Sequence, residues 1–308
     1  MSPSSLRKSV EVVLSRRLLP DGGMAGSLGG ALHIDSTAWG VLVFRASGGT
    51  HEVIEQLCSI LVREQGGDGR VCINRAHPDS YWPTPLAVLA WLDSTASQVA
   101  QSRAVHFLLN TTGVHFPKSP TEPSAHDPNI KGWPWIEDTH SWVEPTAMCV
   151  MALRATGHGQ HDRVREALRM ILDRQLPHGG WNVGNTLVFG RELYPMPETT
   201  GAALVALAGE VDRSEVARSI DYLRGEVDRL STPISLGWSL LGLSAWDRSP
   251  ANGLALVERC LGNQDRYGGY DTSSLCLLAL GALADDSKAE KPLFRRLNSK
   301  SRPLVAAP

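Results

Sequence analysis

The chain repeats one phrase. An acidic residue is followed by Ser, Thr or Pro, then Thr-Ala, then an apolar run. It stands as HIDSTAWGVLVFRASG at 33–48 and as WVEPTAMCVMALRATG at 142–157. Aligned on Thr37 and Thr146, the two copies share Thr, Ala, Val, Arg, Ala and Gly. Looser copies, PETTGAALVALAG and YDTSSLCLLALGAL, follow at 197–209 and 270–283. Self-similarity at a spacing of tens of residues means stacked units, none of which can bury its apolar face alone.

Between the copies two kinds of helical segment alternate. The segments at 4–18, 51–64, 96–110, 161–175, 213–229 and 250–262 carry one apolar stripe opposite charged residues. In HDRVREALRMILDRQ the stripe is Val164, Leu168 and Ile171. Such a helix packs one face and wets the other. The segments at 37–46, 84–92, 146–155, 200–208, 236–246 and 273–284 are apolar nearly all round and so are expected to be buried on every side. Six outer helices alternating with six inner ones predict an all-α, (α/α)6 toroid with the inner helices parallel. An open superhelix is the competing arrangement. The turns LLPDGGMAG, EQGGDGRVC, QLPHGGWNVG and NQDRYGGYD join outer to inner helices, with Gly supplying the positive φ. The acid at each inner-helix start is expected to cap it. Residues 1–286 are expected to form one domain and 287–308 a frayed tail. The stretch 114–141 is long, Pro-rich and without helical period, which suits a loop covering a site.

Composition narrows the function classes. A net charge of −2 argues against a nucleic-acid binder. With 42% hydrophobic residues the chain can bury a large core. No apolar run reaches the roughly 18–20 residues of a membrane span, and the amphipathic, charged SSLRKSVEVVLSRRLL does not resemble a signal peptide. Five cysteines make no CxxC pair, and Cys149 and Cys276, in apolar helical runs, are expected to be buried free thiols; a cytoplasmic setting is expected. Cys72, His77 and Asp79 lie close in sequence, but zinc needs three or four convergent ligands, and no metal is expected there.

The acids recur at equivalent places: Asp35, Glu144, Glu198 and Asp271 should ring one mouth of a toroid. One of them, desolvated beside a cavity, would hold a proton to deliver. Asp35 and Glu144 are the catalytic candidates. His33 precedes Asp35 and His140 lies near Glu144, each placed to orient the acid or relay its proton. Among nine tryptophans, Trp39, Trp82, Trp142, Trp181 and Trp238 fall at or near inner-helix starts, and Trp133 and Trp135 in the long loop. These seven, with Glu198 and Asp271, are the candidate substrate-binding residues. An indole face stabilises a cation by roughly 0.5–2 kcal/mol. Arg45 and Arg154, at the opposite helix ends, complement the helix dipole and are expected to be structural.

The order of helix, Gly-Gly-Trp turn and acid-started inner helix resembles the repeat of squalene–hopene cyclases, class II terpene cyclases and protein prenyltransferase β subunits. RQLPHGGWNVG at 174–184 is the nearest match to their Gln-Trp turn, and the resemblance spans about residues 20–285. Class II cyclases carry a D-x-D-D-T-A phrase whose middle Asp protonates an alkene or epoxide. Here the phrase falls on His33-Ile34-Asp35-Ser36-Thr37-Ala38, with Asp35 in the middle place and His33 and Ser36 replacing the flanking acids. A second register, Trp142 to Ala147, puts Glu144 there. The prenyltransferase zinc set is missing: Ser274 stands where that family has His, and STPISLGWSLLG lacks Asp-x-Cys.

The resemblance therefore implies a class II terpene cyclase-like enzyme that cyclises a hydrophobic isoprenoid by proton transfer in an aromatic cavity. It needs no cofactor for that step, and Mg²⁺ only if the substrate is a diphosphate. Such cyclases usually pair this domain with a second α/α domain, so a partner protein or a homo-oligomer is the candidate that closes the cavity. The alternatives are a non-catalytic toroid binding a lipid or protein, and a different reaction on a hydrophobic substrate by the same acids.

Overall fold

The computed structural model describes residues 3–119 and 125–286, with side chains from residue 7 onward. The tail expected at 287–308 lies outside the described residues. In chain order the outer helices are α1 (Pro3–Ser15), α3 (His51–Arg63), α5 (Gln98–Asn110), α7 (Asp162–Asp173), α9 (Arg213–Glu226) and α11 (Gly253–Gly262). The inner ones are α2 (Ile34–Ser47), α4 (Pro83–Ala90), α6 (Val143–Ala155), α8 (Pro197–Leu207), α10 (Pro233–Ala245) and α13 (Thr272–Leu283). A one-turn helix, α12 (Gln264–Tyr267), and a two-stranded hairpin, β1 (Leu187–Val188) with β2 (Arg191–Glu192), interrupt two of the turns and were not legible in the sequence.

The inner helices pack in chain order, α2 on α4, α4 on α6, α6 on α8, α8 on α10 and α10 on α13, and α13 returns to α2. The ring is closed, which excludes the open superhelix. Each outer helix lies against an inner neighbour, and α1 bridges the seam by touching both α2 and α13. The seam is also tied by polar contacts. Arg17, 7% exposed, donates to Thr272 Oγ1 at 2.9 Å and to the Tyr270 carbonyl at 3.0 Å. The Thr272 amide donates to the Gly26 carbonyl at 2.8 Å.

The repeated threonine has one job at four places. Thr37 Oγ1 accepts the Met24 amide at 3.0 Å, Thr84 that of Val71 at 2.9 Å, Thr146 that of Trp133 at 2.9 Å, and Thr200 that of Trp181 at 3.0 Å. Each threonine is fully buried and pins the returning turn to its inner helix, satisfying an amide that no helix pairs. Gly22-Gly23 and Gly179-Gly180 make the matching turns at positive φ.

The ring is tightest from α8 to α13. A Cβ on Gly201 would meet the Trp238 carbonyl oxygen at 2.3 Å, and one on Gly237 would meet that of Leu277 at 2.8 Å. This close approach brings the Trp238 indole to the centre. The two arginines are structural, as expected. Arg45 donates to the Ala90 carbonyl at 3.2 Å, and buried Arg154 donates to Ala206 and Ala208 at 2.9 and 3.0 Å and pairs with Glu210 at 2.7 Å. All five cysteines are free, four of them buried.

Of the four acids only Asp271 stands at an N-cap position. Asp271 does cap α13, accepting from the Ser274 amide at 2.8 Å and the Ser274 hydroxyl at 2.7 Å. Asp35, Glu144 and Glu198 are each the second residue of their helix, and the cap positions belong to His33, Trp142 and Met196. From there Asp35 still takes up the free Ser36 amide at 2.7 Å, while the Glu144 and Glu198 carboxylates turn to other contacts, Trp238 and Ser235.

Candidate active site

On α2, α6, α10 and α13 the second residue faces the centre of the ring, on α4 the cap residue Trp82 takes that place, and the residue four further on lies beneath it on the same face. Five helices therefore build one cavity of about 610 Å³ in two tiers. The upper tier is Asp35, Trp82, Glu144, Ile234 and Ser273; the lower is Trp39, Leu86, Met148, Trp238 and Leu277. Leu32 and Trp135 complete the mouth, with Asp271 and His33 at its edge. The lining is mostly apolar, so its few polar groups interact through a medium of low dielectric.

Among the described residues, the donor set against Glu144 is the Trp238 indole N–H from α10. Part of its surface is open, but that surface faces the cavity. Desolvation by burial pushes its carboxyl up to about 7, the charge of Glu198 pushes the same way, and the Trp238 contact opposes both. Glu198 itself does not line the cavity; its carboxylate accepts from Ser235 Oγ at 2.8 Å.

Asp35 is handled differently. Its carboxylate, on a residue only 5% exposed, accepts the Ser36 amide at 2.7 Å, the Ser273 hydroxyl at 2.7 Å and a short contact from His33 Nδ1. Ser36 and Ser273 also meet, Oγ to Oγ, at 2.9 Å. The hydrogen bond to Asp35 raises the pKa of His33, whose ring stays partly open to solvent. The Asp35–Ser273 bond joins the first inner helix to the last, so this polar cluster lies on the seam of the ring.

The tryptophans divide. Trp39 and Trp238 meet edge to face at 5.9 Å in the lower tier, and Trp82 and Trp135 do so at 5.7 Å at the mouth. These four line the cavity. Trp133 and Trp181 are instead fully buried in the wall, where their N–H groups bond the carbonyls of Leu108 and Ile171. Both follow glycine in a pinned turn, so their rings point outward to the outer helices. Trp142 and His140 face a separate recess, away from Glu144, because the chain runs antiparallel to residue 133 before α6 begins. Of the described part of the 114–141 loop, only Trp135 lines the cavity.

Ser273, Met148, Leu86, Ile234 and Leu277 are site residues that the phrase did not single out. Counting four residues on from each upper-tier position finds the lower tier. Placing α13 in the same register finds Ser273. Among the described residues no three His, Cys, Asp or Glu side chains converge as metal ligands, and no helix is long and apolar enough to cross a membrane.

No protein-family model and no curated protein matches the chain. Solved structures do. A variant of the type II terpene cyclase MstE from Scytonema, in complex with its substrate geranylgeranyl dihydroxybenzoate, superposes with a TM-score of 0.60 at 14% identity, covering 91% of this chain and 97% of that one. The apo form of MstE gives 0.55 at 14% identity over 91% and 98%. A protein from Actinoplanes gives 0.53 at 15% identity over 91% and 98%. The chain thus has the all-α toroid fold of a terpene cyclase-like structure, and it spans nearly the whole of each of these neighbours.

Proposed function

We propose that the protein is an enzyme that cyclises an isoprenoid by proton transfer, and that Glu144 delivers the proton. What supports this reading is a carboxyl, raised by burial to about 7, that faces an apolar cavity lined by four indoles. A group whose pKa lies near the working pH is both loaded and able to give its proton up.

In the first step the π pair of a substrate double bond takes the Glu144 proton. A C–H bond forms, the O–H bond breaks, and a cation is left on the neighbouring carbon. The new carboxylate keeps the Trp238 N–H and sits in the first turn of α6, where the helix dipole favours negative charge. The faces of Trp39, Trp82, Trp135 and Trp238 are available to stabilise the cation as ring bonds form. The final cation loses a proton, and the Asp35 carboxylate is the acceptor supplied by the same cavity. The Trp39–Trp238 pair gives the lower tier an apolar, aromatic surface. A cavity of about 610 Å³ falls in the range of small-molecule sites.

The neighbour's substrate, a geranylgeranyl dihydroxybenzoate, supports a polyprenyl chain as the probe. Incubation with farnesyl, geranylgeranyl and squalene-type compounds should give a cyclic product by mass spectrometry. Glu144→Gln should abolish it, Asp35→Asn should change the product pattern, and the rate of the wild type should fall above about pH 7 as Glu144 loses its proton. Wild-type turnover in Glu144→Gln would rule this assignment out. The competing reading, a non-catalytic lipid-binding toroid, calls for acids that merely cap helices; Glu144 caps nothing, which favours the enzyme.

A further inference from the structure

The central cavity ends one helical turn below Asp35 and Glu144. Four residues beyond each member of the lower tier, the same register brings Val43, Ala90, Ala152, Gly242 and Gly281 towards the centre. All five are buried, and none lines the cavity. On the side of α10 and α13 nothing larger fits. A Cβ on Gly242 would meet Gly201 Cα at 2.8 Å, and one on Gly281 would meet the Gly237 carbonyl oxygen at 2.8 Å. At this depth α8, α10 and α13 touch backbone to backbone, so the hollow cannot continue between them. The lower tier is therefore a floor.

The members of the floor are held in different ways. Trp238 is 1% exposed, its backbone packs on Gly201, and its N–H lies on Glu144. The backbone of Leu277 is close to Gly237 in the same manner. Both are fixed by the tight half of the ring. Trp39 comes from α2 and completes the floor through its ring, edge to face on Trp238 at 5.9 Å. It is 6% exposed and lines the cavity. An indole is the largest side chain a floor can carry, so this position decides how much depth is left above it.

Volume sets the scale. About 610 Å³ holds roughly twenty groups the size of a water molecule, at about 30 Å³ each, and a methylene is of similar size. Chains of fifteen and twenty carbons fit beneath the mouth, and a chain of thirty does not.

Resting on the reading of this cavity as an isoprenoid site, we propose that Trp39 determines the length of chain it accepts, with a limit near twenty carbons. Each carbon buried above the floor strengthens binding, because it leaves water for an apolar surface. Carbons beyond the limit stay at the mouth in water and add nothing.

The test reads binding rather than turnover, so it does not depend on which group delivers a proton. Fully saturated prenyl alcohols of fifteen, twenty and thirty carbons have no double bond to protonate. They are delivered to the full chain from cyclodextrin and titrated by the change in tryptophan fluorescence. In the wild type the twenty-carbon alcohol should bind about tenfold or more tighter than the fifteen-carbon one, and the thirty-carbon alcohol no tighter than the twenty. Trp39→Leu lowers the floor, and there the thirty-carbon alcohol should bind about tenfold tighter than the twenty-carbon one. Trp39→Phe, a milder change to the packing, should move that ratio part of the way. Leu86→Phe adds bulk to the same tier and should remove the gain from fifteen to twenty carbons. A tryptophan with only a structural role would weaken all three alcohols alike when replaced. That result, an unchanged ratio in both Trp39 variants, or a wild-type affinity that keeps rising to thirty carbons would overturn the proposal and leave the isoprenoid site standing. Failure of all three alcohols to bind the wild type would overturn both.

Discussion

Glu144 is costly to ionise in the folded protein, and that makes it visible in stability. Its carboxyl is raised from an ordinary value of 4.5 to about 7. The unfolded chain therefore releases this proton first, and between those two values the folded state binds more protons than the unfolded one. The contribution of this carboxyl is then greatest below about pH 4.5, falls through the interval, and levels off above about 7. The contribution is at most on the order of 3 kcal/mol, since each unit is worth about 1.4 kcal/mol and part of the side chain faces open cavity. His33, raised by Asp35, adds a loss in the same direction at higher pH. Comparison with Glu144→Gln isolates the glutamate: urea unfolding at pH 5 and pH 8 should show a smaller drop in the variant, and an equal drop would mean that the carboxyl is solvated. The phrase around Thr146 made Glu144 a candidate by chain position alone. Its distinguishing contact, the Trp238 indole, comes from a helix nearly a hundred residues away, and no local pattern encodes that. The same holds for Ser273 against Asp35.

At the scale of the element, the acid-to-threonine phrase combines two functions. The threonine fixes the turn, and in the copies at Thr37, Thr84 and Thr146 the residue two places before it faces the cavity. Thr146→Val keeps the shape and removes the acceptor, leaving the Trp133 amide buried and unpaired. An unsatisfied buried donor costs about 1–3 kcal/mol, so urea unfolding should show a loss of that order; no loss would mean that the hydroxyl is incidental. Helix types and their alternation were legible because an all-round apolar helix and a one-striped helix differ in composition along the chain. The capping role assigned to the acids was not legible. Whether a helix starts at the acid or one residue before it depends on where the turn delivers the chain, and the threonine pin sets that. The direction of Trp142 and His140 was hidden for a similar reason: the loop at 114–141 pairs with itself before α6 starts.

For the whole molecule, closure is what converts a repeat into a site. In an open array the first and last inner helices would each lack one neighbour, and Asp35 and Ser273 would be far apart. Here α13 packs on α2, α1 spans both, and Arg7 near one end pairs with Asp286 near the other. A ring of equivalent interfaces has no required starting point, so where the chain is cut should matter little provided every interface survives. A circular permutant tests this. Residue 286 is joined to residue 7 by a short Gly-Ser linker, and new ends are opened at Gly157–Gln160, in the exposed turn between α6 and α7. All six inner-helix contacts remain, so the permutant should unfold in one cooperative transition, with a melting temperature within a few degrees of the parent and with the Asp35–Ser273 seam intact. A second variant, cut at the same turn without the linker, yields two halves, neither of which should fold when isolated, since each alone would expose two apolar helix faces. Independent folding of either half would show that the repeats are stabilised locally, and the cavity would then owe nothing to ring closure.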